Sequence, residues 1–147
     1  MIDKKFIGYK QPPTLWDVEK GRIAFFAKVI GLKDPIYTDV EAARAAGYRN
    51  VVAPPTFFFG AEGDSGAMME LITTLHIDLG KVLHGEQRFD YYAPVCAGDT
   101  LRLESEITDI YDKKGGALEF VVKQTRVTNQ LGEHVADIHS VIVVRHA

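Results

Sequence analysis

The chain has 147 residues, 46% hydrophobic and 25% charged, which suits one globular domain able to bury a core without cross-links. A formal net charge of −3 gives no electrostatic footprint for nucleic acid or an anionic membrane, so an anionic ligand has to be met by a local patch. Cys96 is the only cysteine, which excludes an internal disulfide and a cysteine-rich metal site and reads as a small buried apolar residue.

The opening residues Met1-Ile2-Asp3-Lys4-Lys5 lead into no continuous apolar core of a signal peptide, and no apolar run is long enough to span a bilayer. The expected location is the cytoplasm. Residues 6–9 are expected as a short strand, followed by a turn over 11–14. A helix is predicted over 18–30, because Ile23, Phe26, Ala27 and Ile30 recur at helical spacing. Asp17 and Glu19 favour its start and Gly31 its end. A shorter helix over 39–46 has Asp39 as its cap and Gly47 just beyond it.

Residues 51–56 read as an extended segment that delivers the chain into a helix opened by Pro55 or Thr56 and running to about 75. Its weak point is 60–66, where Glu62-Gly63-Asp64-Ser65-Gly66 marks a break or loop. From Lys81 onward the pattern changes to strands, over 82–91, 101–107, 118–127 and 136–144. Residues 112–116 form the turn between the second and third. A long helix against consecutive antiparallel strands is an α+β layout.

Three groups of residues carry a family resemblance. Gly31-Leu32-Lys33-Asp34-Pro35-Ile36-Tyr37 is followed by Asp39, Glu41, Arg44, Gly47 and Tyr48, then by Val52-Ala53-Pro54-Pro55-Thr56-Phe57. His84-Gly85-Glu86-Gln87-Arg88-Phe89 precedes Tyr92-Ala93-Pro94 and Ala97-Gly98-Asp99-Thr100-Leu101. These pieces, in this order over nearly the whole chain, resemble the MaoC-like dehydratases and hydratases. They are most similar to the N-terminal, FAS1-like subfamily, which includes the substrate-binding subunit of mycobacterial hydroxyacyl-carrier-protein dehydratases.

The resemblance implies a single hot-dog domain over 1–147, an antiparallel sheet wrapped around a long central helix. It implies a dimer, with itself or with another hot-dog chain, and a pocket between subunits for a 2-enoyl or 3-hydroxyacyl thioester of coenzyme A or an acyl carrier protein. Catalytic members carry Gly-Asp-x-Asn-Pro-[apolar]-His, whose Asp and His exchange the protons of water addition while a donor holds the thioester oxygen. Here Leu32 stands in place of the Asp and Tyr37 in place of the His. Leucine exchanges no proton, and a tyrosine with an ordinary pKa of about 10 donates a hydrogen bond more readily than it acts as a base.

The candidates for relocated chemistry are therefore Asp34, Tyr37 and His84, with Pro55, Thr56, Phe57 and Gln87 as substrate contacts. Each has a plainer reading. Asp34 caps a turn before Pro35, the two prolines set an entry angle, His84 bonds a carbonyl, Gln87 pins a loop, and Phe57, Phe58, Phe59, Met68 and Met69 are core rather than an acyl lining. As a strand, residues 84–89 place His84, Glu86 and Arg88 on one face. Lys81, Arg88, Arg102 and Lys123 are candidates to meet phosphates, or simply solvated charges.

His76, His134, His139 and His146 show no ligand spacing, so no metal and no cofactor is expected. The leading expectation is an acyl-binding subunit that completes a pocket with a catalytic hot-dog partner. A self-sufficient hydratase, a non-reacting thioester-binding module, and a thioesterase using Glu62 or Asp64 are the alternatives.

Overall fold

The computed structural model describes residues 1–146. Ala147, the last residue of the expected domain, lies outside the described residues. In chain order the elements are β1 (Thr14–Asp17), α1 (Lys20–Val29), α2 (Val40–Ala45), α3 (Phe59–Asp64), α4 (Ala67–Thr74), β2 (Val82–Tyr91), β3 (Thr100–Lys113), β4 (Leu118–Thr128) and β5 (His134–Arg145). The five strands form one antiparallel sheet in the order β1-β3-β4-β5-β2. Helices α3 and α4 together supply the central helix expected of a hot-dog domain. Among the described residues, no helix is long and apolar enough to cross a membrane.

The first strand lies later than the sequence suggested. Asp3 caps a 3-10 turn over Lys4–Phe6, and Gly8, at φ +89°, turns the chain out of an extended path. The strand begins at Thr14, the last residue of the expected turn, and Thr14–Asp17 pairs with β3 and buries Trp16. Successive strands are also not all neighbours. Strand β2 crosses to the far edge and pairs with β5, while β3 occupies the other side of the β3-β4-β5 meander.

The two short N-terminal helices end in the same way. At the end of α1, Gly31 N–H donates to Lys28 O and Leu32 N–H to Ala27 O, with Gly31 at φ +76°. At the end of α2, Gly47 and Tyr48 repeat this pair of bonds onto Arg44 and Ala43. Both are Schellman caps, and in each the residue just past the glycine is locked in place.

The central helix does break inside the predicted stretch. Gly66 is left-handed at φ +76°, and Ser65 Oγ donates to Glu62 O. Beneath the break the inner face of the sheet is polar. Along adjacent strands Lys123, Ser140 and Gln87 pair in one row, with Ser105 and Thr125 beside them. This seam divides the core. Trp16, Ile23, Phe57, Phe58, Leu103, Val127 and Ile138 pack on one side of it, and Leu71, Leu75, Ile107, Val121 and Ile142 on the other.

Glu62 hangs into the seam from α3. Its Oε2 lies 2.6 Å from Lys123 Nζ, off the line of a hydrogen bond, and its Oε1 accepts from Thr125 Oγ1 at 3.3 Å. Lys123 is 1% exposed, so it meets no phosphate. Glu62 is taken up by this pair, and Asp64 by Arg22 and the Trp16 indole N–H.

Candidate functional site

Two segments that the fold stitches together wall a cavity of about 230 Å³. Ala53 N–H donates to Val95 O, Ala97 N–H donates to Val51 O, and Val52 bridges Cys96. The Asp99 carboxylate fixes this joint. It is 2% exposed and accepts from Arg49, from Cys96 N–H at 2.9 Å and from Gln130 Nε2 at 2.9 Å. Burial opposes its charge, but these three donors outweigh burial and hold the carboxyl below the ordinary range.

Tyr37, Tyr48 and Tyr91 line the cavity with Ile36, Val52 and Phe58. Tyr37 ends the 3-10 turn Pro35–Tyr37, Tyr48 is set by the α2 cap, and Tyr91 ends β2. Burial, then the charge of Asp34 and the nearby Tyr48, push the Tyr37 phenol up, which keeps it a protonated donor. Among the described residues, no carboxylate or imidazole lines this cavity.

The sequence-predicted residues fall in several places. Asp34 is exposed, and its Oδ1 accepts from Ile36 N–H at 3.1 Å, capping the turn that presents Tyr37. Leu32 is the locked residue past Gly31 and faces a separate surface hollow beside Phe25 and Thr38. Pro55 lines the tyrosine cavity. Phe57 is core, packed on Trp16 at 5.1 Å and Phe26 at 5.5 Å between ring centroids.

Thr56 follows Pro54-Pro55 in a tight turn closed by Phe57 N–H to Pro54 O, and its φ is +69°. That is the turn position where glycine is ordinarily needed. Holding a threonine there costs on the order of 1–2 kcal/mol of backbone strain. The helix begins at Phe59 rather than at Pro55 or Thr56, and the Thr56 N–H donates to the Tyr91 hydroxyl at 2.7 Å.

His84 and Gln87 lie farther along β2. The register slips at Gly85, so one extra residue separates His84 from Glu86. This bulge removes His84 from the face of Glu86 and Arg88 and turns it toward the inner side, where its ring lies 5.4 Å from Phe59. It stands seven residues from Tyr91, roughly 20 Å along an extended strand, so the chain does not bring it to its own tyrosine cavity. Gln87 belongs to the seam. Its Oε1 accepts from Ser140 Oγ at 2.9 Å, and its Nε2 is buried without a partner among the described residues.

Several of the other charges that the sequence singles out have a nearby partner of opposite sign. Arg88 meets Asp90, and Arg102 meets Glu104. His134, His139 and His146 each sit against a carboxylate, of Asp137, Asp90 and Glu119 respectively. The His139 and His146 pairings join residues from different strands or strand ends, which spacing alone did not reveal, whereas His134 and Asp137 lie three residues apart in β5. Among the described residues, no cluster of three or more His, Cys, Asp or Glu side chains is arranged to hold a metal.

Sequence reasoning missed Tyr48 and Tyr91 as site residues. Their signals were present: Tyr48 follows the glycine of a helix end, and Tyr91 shares strand parity with the apolar Phe89.

Comparison with known proteins matches this geometry to a family. A model of the FAS1-like dehydratase domain region matches residues 5–138. A Streptomyces avermitilis protein described as a UPF0336 protein is 37% identical over 147 residues, covering 99% of this chain and 97% of that relative. A chain of the C-terminally truncated HadBC complex of Mycobacterium tuberculosis, a 3R-hydroxyacyl-ACP dehydratase, superposes with TM-score 0.80 and 27% identity, covering 94% of this chain and 96% of that one. A MaoC-like dehydratase shares the fold with TM-score 0.83 and 24% identity over 97% of this chain, which spans 43% of that longer one.

Proposed function

The chain belongs to the FAS1-like dehydratase family, and from that premise we propose that it is an acyl-thioester-binding subunit that completes its pocket with a partner hot-dog chain. The observation that carries this reading is the composition of the tyrosine cavity. It offers hydroxyl donors and apolar walls, but among the described residues no group that takes a proton at neutral pH. Hydration of an enoyl thioester needs such a base, so the proton exchange falls to the partner. Likeness to a chain of the HadBC complex supports a two-chain arrangement. Strand β2, with its ten residues on one open edge of the sheet, is where a partner strand would continue the sheet.

The test is hydration of crotonyl coenzyme A, followed by loss of enoyl absorbance. It is run on this chain alone and on this chain co-expressed with a hot-dog chain carrying an intact Gly-Asp-x-Asn-Pro-x-His segment. The expected result is silence from the folded single chain and turnover by the pair. Turnover by the single chain at an ordinary enzymatic rate, about 1 per second or faster, would overturn the proposal.

A further inference from the structure

The Tyr91 hydroxyl is held in an unusual way. A phenol has one proton to donate and lone pairs to accept with. Here the acceptor side is taken by the Thr56 N–H at 2.7 Å, from a backbone strained to φ +69°. Among the described residues, no acceptor takes the proton of Tyr91. The ring is clamped on two sides, stacked on Phe89 at 6.0 Å and edge-on to Phe58 at 6.0 Å. It is also part of the cavity wall. The result is a fixed hydroxyl whose unused function is donation, polarised from behind by an amide.

We infer that the Tyr91 hydroxyl is the donor that receives the ligand's carbonyl oxygen, with the Thr56 amide acting through it rather than on the ligand. This rests on the thioester reading proposed above and goes beyond it by naming the group that recognises the carbonyl. Two of the helix-entry amides are already engaged, Thr56 N–H with Tyr91 and Phe57 N–H with Pro54 O. Burial pushes the Tyr91 phenol up and the Thr56 N–H pulls it back only in part, so the hydroxyl keeps its proton at neutral pH. Because donor chains polarise one another, a hydroxyl backed by an amide is a stronger donor than a free one.

The experiment measures binding of two probes by calorimetry, crotonyl coenzyme A and the S-butenyl thioether of coenzyme A, which lacks the carbonyl, with the chain held in complex with a hot-dog partner whose motif Asp and His are replaced by Asn and Gln. The wild-type chain is compared with Y91F and with Y92F, whose hydroxyl faces Asp137 instead. The expected result is that Y91F weakens the thioester about 10-fold and the thioether less than twofold, while Y92F changes neither. Unchanged or tighter thioester binding by Y91F would show that Tyr91 merely plugs the amide, and would overturn the inference while leaving the thioester reading intact. If Y91F does not fold, the wild-type chain decides alone. A preference for thioester over thioether, with the bound carbonyl stretch moved to lower wavenumber, sustains the inference, and equal affinities defeat it. Failure of the wild-type chain to bind either probe defeats both this inference and the reading beneath it.

Discussion

Replacing Lys123 with methionine tests what holds the broken central helix to the sheet. Methionine keeps most of the apolar stem, so the loss is of charge rather than volume. It strands the Glu62 carboxylate, 7% exposed, between α3 and the seam. A stranded carboxylate either stays charged or takes a proton, and the cheaper route sets the ceiling. Protonating an ordinary glutamate at pH 7 costs about 3.7 kcal/mol, at 1.36 kcal/mol for each unit above about 4.3. That agrees with the roughly 3–5 kcal/mol seen when one partner of a buried pair is removed.

The cost of K123M is therefore expected to depend on pH. In the variant the lone carboxyl favours its neutral form when folded, so the deficit grows as pH rises above about 4.3 and shrinks as pH falls. Urea unfolding is expected to show about 3–4 kcal/mol lost at pH 7 and about 1 kcal/mol lost at pH 5. The double variant K123M/E62Q carries no stranded charge and is expected to regain most of the stability, with a flat pH profile. A loss below about 1 kcal/mol at pH 7, or the same loss at both pH values, would refute the reasoning, because the pair would then not be the buried charge contact it resembles.

Asp99→Asn removes the charge that Arg49, Cys96 N–H and Gln130 converge on, and a loss of about 3 kcal/mol is expected in urea at pH 7. Since that carboxyl is held below its ordinary range, its contribution is present above about pH 3.9 and lost as pH falls further, so the stability curves of D99N and wild type should converge in acid. Gly85→Ala places a Cβ 2.7 Å from Val143 Cγ2 and 3.0 Å from Val141 O, so it should cost about 1–3 kcal/mol and speed hydrogen exchange of the β2 amides; a neutral result would mean that the bulge relaxes freely. D34N, Y37F and H84Q are each expected to lower turnover by the partnered complex less than 10-fold, and a loss of about 100-fold in any of them would move the proton exchange into this chain.

Much of the fold was legible because local rules and packing agree. Residues 82–91 are read as the first strand of the second half, and the strand is Val82–Tyr91. The helix ending at Gly31 was legible because glycine supplies the left-handed residue a Schellman cap needs. The break near Gly66 was legible for the same reason. The N-terminus was not, because the apolar residues Phe6 and Tyr9 bound a stretch read as a short strand yet serve as partly buried packing for the second core. Residues 14–17, between the expected turn over 11–14 and the expected helix from 18, carry no strand signal of their own, and only pairing with β3 makes them a strand. The placement of β2 beside β5 is a long-range choice that no local pattern encodes.

The site residues named from sequence fall in more than one place in the fold, and the polar seam accounts for part of that scatter. In sequence, Lys123 and Thr125 on one stretch, and Ser140 and Gln87 on two others, are scattered polar residues, each with an ordinary surface explanation. Only the register of β2, β4 and β5 places the first three in one row. Glu62 above that row then has a structural duty that removes it from the candidates for thioester hydrolysis. The bulge at Gly85 acts similarly on His84, since one extra residue reverses the face it occupies. Subtracting the seam and the bulge leaves Tyr37, Tyr48 and Tyr91 as the polar lining of a mainly apolar cavity. A site with donors but no base favours binding and orienting a carbonyl over moving protons, and that asymmetry is the physical case for a second chain.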